Sequence, residues 1–100
     1  MKTKQLNVGA NRGKKRVWIE SGPLEEFGWT TGTRYTFHSQ PEGDGWARLD
    51  KDPSGKRKVA GTAGRPIIDL CNNKVAEWTK GAARVEIEFT ADYVLVTPIH

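Results

Sequence analysis

Apolar and polar positions alternate most cleanly toward the end of the chain, where Val85, Ile87 and Phe89 are separated by Glu86 and Glu88. A period of two marks a half-buried strand, so these three side chains are expected to face inward. Thr90-Ala91-Asp92 then reads as a turn into a second strand, Tyr93 to Thr97. Tyr35 and Phe37 alternate in the same way, and Trp46 to Leu49 follows after a longer polar connection, Ser39 to Gly45. Arg16-Val17-Trp18-Ile19 and Pro66-Ile67-Ile68-Asp69-Leu70 are rich in β-branched and aromatic residues and predict strands. Short first strands are expected over Lys4 to Val8 and Lys56 to Ala60. Each leads into a glycine-rich loop suited to tight reversal, Gly9 to Gly13 and Gly61 to Gly64. Helix is limited to two short turns. Pro23 suits the first turn of a segment over 23–27 that Gly28 ends, and Asn72 or Asn73 caps a turn running to about Trp78.

The same order of elements occurs twice, which points to an internal repeat. Sliding the chain by 49 residues lays Arg16 to Gly32 on Arg65 to Gly81, with Arg16/Arg65, Ile19/Ile68, Trp29/Trp78, Thr30/Thr79 and Gly32/Gly81 identical. About one identity is expected by chance over such a span. Arg34 to Phe37 then falls on Arg84 to Ile87, one residue out of step. Val8-Gly9-Ala10 resembles Val59-Ala60-Gly61, with a loop two residues shorter in the second copy. Each unit, about 4–50 and 56–98, is too small to bury its own apolar face, so the two are expected to share one core. The fold class that follows is mainly β. Two tandem ββαββ-like repeats are expected to form a single domain over 1–100, a barrel or pseudo-twofold sandwich with two short helical turns. Lys51 to Gly55 is the polar turn joining the halves.

Arg65-Pro66-Ile67-Ile68-Asp69, then Lys80-Gly81-Ala82-Ala83-Arg84-Val85-Glu86-Ile87-Glu88, then Tyr93-Val94-Leu95-Val96 resembles the swapped-hairpin unit of the AbrB/SpoVT/MazE superfamily. The first copy is similar to the SymE branch, through Leu6-Asn7-Val8-Gly9, Ile19 and Leu24-Glu25-Glu26-Phe27-Gly28-Trp29-Thr30-Thr31-Gly32-Thr33. The family pattern places Pro straight after the strand Ile, where this chain has Glu20 and Asp69. The resemblance implies a swapped-hairpin barrel whose basic loops contact DNA. Two chains usually supply the halves in that family. One chain holds both here, so a monomeric pseudo-dimer or a homodimer is expected.

Composition narrows the class. Four Trp, three Phe and two Tyr in 100 residues argue against disorder. The single Cys71 leaves no internal disulfide and no thiol pair for a structural zinc site. There is no run of about 18 apolar residues, and Met1-Lys2-Thr3-Lys4-Gln5 leads into no secretory segment, so a cytoplasmic protein without a membrane span is expected. The net charge of +4 is modest and divides evenly, with eight basic and six acidic side chains in each half.

The distribution of that charge carries the functional reading. Arg12, Lys14, Lys15 and Arg16 flank the first glycine-rich loop, and Lys56, Arg57, Lys58 and Arg65 flank the second. Two basic surfaces about a twofold axis suit phosphates on successive turns of duplex DNA, and binding through them is salt-sensitive. The expected function is therefore a small DNA-binding regulator of AbrB/SymE type that needs no cofactor or metal and is not an enzyme. The alternatives are a phage- or plasmid-type inhibitor or antitoxin, directed at a toxin or a nucleoprotein complex, and a SymE-like RNA-directed toxin. Gly9 to Lys15 is not a phosphate loop, because three residues separate its glycines and Lys15 stands where the Ser or Thr would hold magnesium. His38 and His100 have no evident catalytic partner, and Cys71 reads as a small structural thiol. Trp29 and Trp78 are expected in the core, and Trp46, beside a glycine-rich loop, is the tryptophan expected at the surface.

Overall fold

The alternating segments pair into two antiparallel sheets in the computed structural model of the protein, which describes residues 1–20 and 22–100. The first half supplies β1 (Lys2–Asn7), β2 (Gly9–Asn11), β3 (Lys14–Glu20), α1 (Gly22–Glu26), β4 (Arg34–Gln40) and β5 (Trp46–Lys51). The second half supplies β6 (Arg57–Lys58), β7 (Ala60–Thr62), β8 (Arg65–Cys71), α2 (Asn73–Thr79), β9 (Arg84–Phe89) and β10 (Tyr93–Ile99). The protein is thus mainly β with two short helices. The larger sheet runs β1-β9-β10-β5-β4-β6 and the smaller runs β2-β3-β8-β7. Both are open, ending on β1 and β6 in one and on β2 and β7 in the other.

The halves interleave in both sheets. Exchange β1 with β6, β2 with β7, β3 with β8, β4 with β9 and β5 with β10, and each sheet reads the same in reverse. The chain passes between sheets at two valines. The Val8 amide donates to the Ala83 carbonyl at 2.8 Å and the Val59 amide to the Thr33 carbonyl at 2.9 Å. Alternation then fills one core. Val17, Ile19, Ile68 and Leu70 point inward from the small sheet. Tyr35, Ala47, Leu49, Val85, Ile87, Phe89, Val94 and Val96 meet them from the large one. Leu24, Trp29, Val75 and Trp78 complete the same cluster.

The two glycine-rich segments are less loop and more strand than expected. Pairing continues to Asn11↔Lys14 and Thr62↔Arg65, which leaves only Arg12-Gly13 and Ala63-Gly64 as turns. Both hairpins therefore have a three-residue strand, a two-residue turn and a seven-residue strand. The gap-free alignment of Arg16 on Arg65 is two residues out at this point. Matching the turns sets Val17 and Ile19 on Ile68 and Leu70, all four buried. The two-residue difference lies between β8 and Trp78, not in a shortened loop.

The helices end as their sequences dictate. Gly28, at φ 78°, closes α1 with a Schellman arrangement: its amide reaches the Glu25 carbonyl and the Trp29 amide reaches the Leu24 carbonyl. Asn72 caps α2 by accepting from the Lys74 amide at 2.8 Å. Thr90 organises the β9–β10 turn, its hydroxyl accepting from the Asp92 and Tyr93 amides at 3.3 and 2.9 Å.

Candidate nucleic-acid interface

The β2–β3 hairpin projects its charge at its tip. Arg12 and Gly13 both take positive φ, 54° and 80°, the signs of a type I′ turn whose twist matches the flanking strands. Glycine and asparagine suit such a position, whereas an arginine there carries a strain of about 1–2 kcal/mol. Lys80 is the other non-glycine residue with positive φ among those described, and it has a structural reason. It closes α2, and its ammonium donates to the Gly43 carbonyl at 2.9 Å. Arg12, Lys14 and Lys15 are exposed and have no ion-pair partner among the described residues.

Arg16 behaves differently. Its guanidinium holds Asp69 of β8 through two hydrogen bonds, 2.9 Å from Nε and 2.8 Å from Nη2. It also lies 4.3 Å from the centre of the Trp18 ring. The Asp69 hydrogen bond raises its pKa above the ordinary value, outweighing the desolvation that opposes it. Arg16 is a structural clamp at the root of the hairpin rather than a free cation. Nothing in the local sequence predicts this, because β3 and β8 come from opposite halves of the chain.

The second basic cluster does not sit where the first one does. Arg57 and Lys58 form β6, at the edge of the large sheet, with Lys56 just before it. The β7–β8 hairpin tip is Ala63-Gly64, and Arg65 is its only basic residue. The expectation of two equivalent basic surfaces is therefore corrected. The first cluster lies in and just after its chain reversal, whereas Lys56 to Lys58 precede theirs, Arg57 and Lys58 pairing with β4 in the other sheet. Arg57 lies 4.6 Å from the Phe37 ring centre and beside Tyr35, whose buried hydroxyl has its pKa raised by desolvation while Arg57 opposes the shift. Lys56 and Lys58 are exposed. Arg65 lines a polar hollow with Lys4 and Glu20.

The tryptophans divide as the alternation dictates. Trp29 and Trp78 are buried, as expected. Trp46 is half-buried, on the outer face of the large sheet, where it shares a groove with Leu95 and Thr97. With Arg48, Asp44 and Gly45 these residues line a groove of about 510 Å³. Trp18 is the exposed one, at 37%. The signal was present in the sequence: with Val17 and Ile19 inward, Trp18 has to face outward.

No catalytic or metal-binding constellation assembles among the described residues. His38 and Cys71 lie on different sheets, and no group of three or more His, Cys, Asp or Glu gathers with metal-ligand spacing. The His100 ring lies 3.2 Å from the Asp44 carbonyl. No described helix is long and apolar enough to cross a membrane. In comparisons with known protein families, curated proteins and solved structures, the chain matches none of them.

Proposed function

We propose that the protein binds double-stranded DNA through the tip of the β2–β3 hairpin, as a small regulator acting in the cytoplasm without cofactor or catalytic step. One observation carries this reading. Arg12 occupies a strained turn position without a described partner, beside the unpaired Lys14 and Lys15. Strain kept where folding gains nothing from the side chain points to a role for that side chain outside the chain. A two-stranded β-ribbon fits the major groove, where tip cations reach phosphates and an arginine reaches guanine edges.

The finer fold reading belongs with this proposal. Two ββαββ-like repeats, related by a pseudo-twofold axis and exchanging hairpins, form a barrel-like pair of sheets of the AbrB/SpoVT/MazE type. The strand order supports it, since each sheet inverts on exchange of the halves. The two Val corners support it too, each donating to the residue just ahead of the other half's β4 or β9. The chain is then a monomeric pseudo-dimer with one charged hairpin and one uncharged tip.

The test is fluorescence anisotropy on a labelled mixed-sequence duplex across a salt series. The parent is run beside a variant carrying Arg12→Ala, Lys14→Ala and Lys15→Ala. Each lost phosphate contact removes about 0.9 from the slope of log affinity against log salt, so the variant's slope is expected to be shallower by roughly 3. Identical slopes would overturn the assignment. A second reading, an inhibitor directed at a protein, rests on the groove along Trp46, Leu95 and Arg48. Absence of duplex binding by the parent at low salt would favour it.

A further inference from the structure

The outer face of the small sheet holds a feature that duplex binding by the hairpin tip does not use. Alternation along β3 places Lys14, Arg16, Trp18 and Glu20 on this face, and alternation along β8 adds Arg65, Ile67, Asp69 and Cys71. Trp18 lies in the middle strand pair, directly opposite Asp69. The neighbouring edge strands contribute small side chains to this face, Gly9 and Asn11 on one side and Ala60 and Thr62 on the other.

A lone exposed tryptophan needs no explanation. Trp18 is not alone. The Arg16 guanidinium lies 4.3 Å from its ring centre and is tethered there, because its Nε and Nη2 donate to Asp69 at 2.9 and 2.8 Å. The result is a prearranged stack of one guanidinium and one indole on an open sheet face. Free cations continue from it along the same strand to Lys14 and around the turn to Arg12, with Lys15 on the opposite face of β3.

From this juxtaposition we infer that the β3 face takes an unpaired nucleobase, stacked on the Arg16–Trp18 pair, while the tip cations hold the adjoining phosphates. The inference rests on the nucleic-acid reading of the hairpin and names the form of ligand it accepts. Base faces inside a duplex are covered by their neighbours, so an intact duplex offers this surface only phosphate and groove edges. A single-stranded segment offers a free π-face together with a polyanionic backbone. Aromatic and guanidinium planes on a sheet beside a basic track are the surfaces that such segments use. The preferred ligand is therefore DNA with a single-stranded extension, not a blunt duplex.

Three labelled probes test this by anisotropy: a blunt duplex, the same duplex with an unpaired extension, and the extension strand alone. Each is titrated with the parent, Trp18→Ala, Trp18→Phe and the Arg12/Lys14/Lys15→Ala variant. Trp18 packs on an outer face, so equal thermal midpoints for the parent and both Trp18 variants check that the fold is intact. Trp18→Ala is expected to weaken the extended and single-stranded probes about 5-fold or more and the blunt duplex less than about 2-fold, with Trp18→Phe recovering most of the loss. Equal effects of Trp18→Ala on all three probes, or none on any, would overturn stacking. The blunt-duplex salt slope would still report on the hairpin assignment separately. If no probe binds the parent, both readings fail and Trp18 becomes a contact for a protein partner.

Discussion

The β2–β3 and β7–β8 hairpins have the same strand lengths, the same two-residue turns and mirrored places in the four-stranded sheet. Their inward faces match as well, Val17 and Ile19 in one and Ile68 and Leu70 in the other. Their tips do not. One carries Arg12, Lys14 and Lys15 around a turn with two positive φ values; the other carries Ala63 and Gly64, of which only the glycine has positive φ, with Arg65 in the place of Lys14 and Pro66 in that of Lys15. Folding demands the shared part, because both hairpins close the same core. It does not demand the cations, which is what supports the proposed interface there. The pairing of Arg16 with Asp69 adds a further lesson, since the β7–β8 hairpin supplies the carboxylate that orders the β2–β3 one.

The halves differ again where they cap the core. Thr90 to Asp92 is a short turn whose Thr90 carbonyl accepts the Trp29 indole N–H at 2.8 Å. In the other half the connection before β5 is longer, and the buried Trp78 indole N–H finds no acceptor among the described residues. The chain passes close over the Trp78 backbone instead, at Gly45, which is buried with φ 81°.

Four substitutions sharpen these contrasts. Gly45→Ala should have the largest effect, since a Cβ there would run into the Trp78 carbonyl in a conformation that already disfavours side chains. A loss of about 2–4 kcal/mol is expected from chemical denaturation. Loss below about 1 kcal/mol would mean that this connection is not packed on Trp78. The tryptophan pair comes next. Trp29→Phe orphans the Thr90 carbonyl, whereas Trp78→Phe removes an N–H that had no acceptor among the described residues. Trp29→Phe should therefore be the more damaging by about 1–3 kcal/mol, and equal losses would contradict the asymmetry. Arg12→Gly should have the smallest effect on folding, a gain of at most about 1 kcal/mol from relief of backbone strain. The same variant should bind duplex more weakly. A destabilised Arg12→Gly protein would give Arg12 a structural role.

Much of the architecture was legible in the alternation. Val85, Ile87 and Phe89 face inward, Thr90 to Asp92 turns the chain, and Trp29 and Trp78 are buried, all as their spacing predicts. The register of the hairpins was not. Arg16 and Arg65 are chemically alike and invite superposition, but turn geometry rather than residue identity sets which side chains correspond. The site was half legible for the same reason. Charge runs are visible in the sequence, yet only strand pairing across the two halves decides that Arg16 is bound by Asp69 while Lys14 is free. Suspicion fell on Trp46 because of its glycine-rich neighbour. Its strand pairs with β10 from the other half, so Trp46 shares a groove with Leu95 and Thr97, and local sequence gives no sign of that pairing.

The most direct test compares two variants of equal charge. One carries Arg12→Ala, Lys14→Ala and Lys15→Ala, the other Lys56→Ala, Arg57→Ala and Lys58→Ala, so each loses the same three positive charges. Duplex affinity and its salt dependence are measured for both beside the parent. A hairpin-centred interface predicts that the first variant loses roughly 3 from the salt slope while the second keeps nearly all of it. Equal losses would mean that overall charge, and not the β2–β3 tip, draws the protein to nucleic acid, and the assignment would fall.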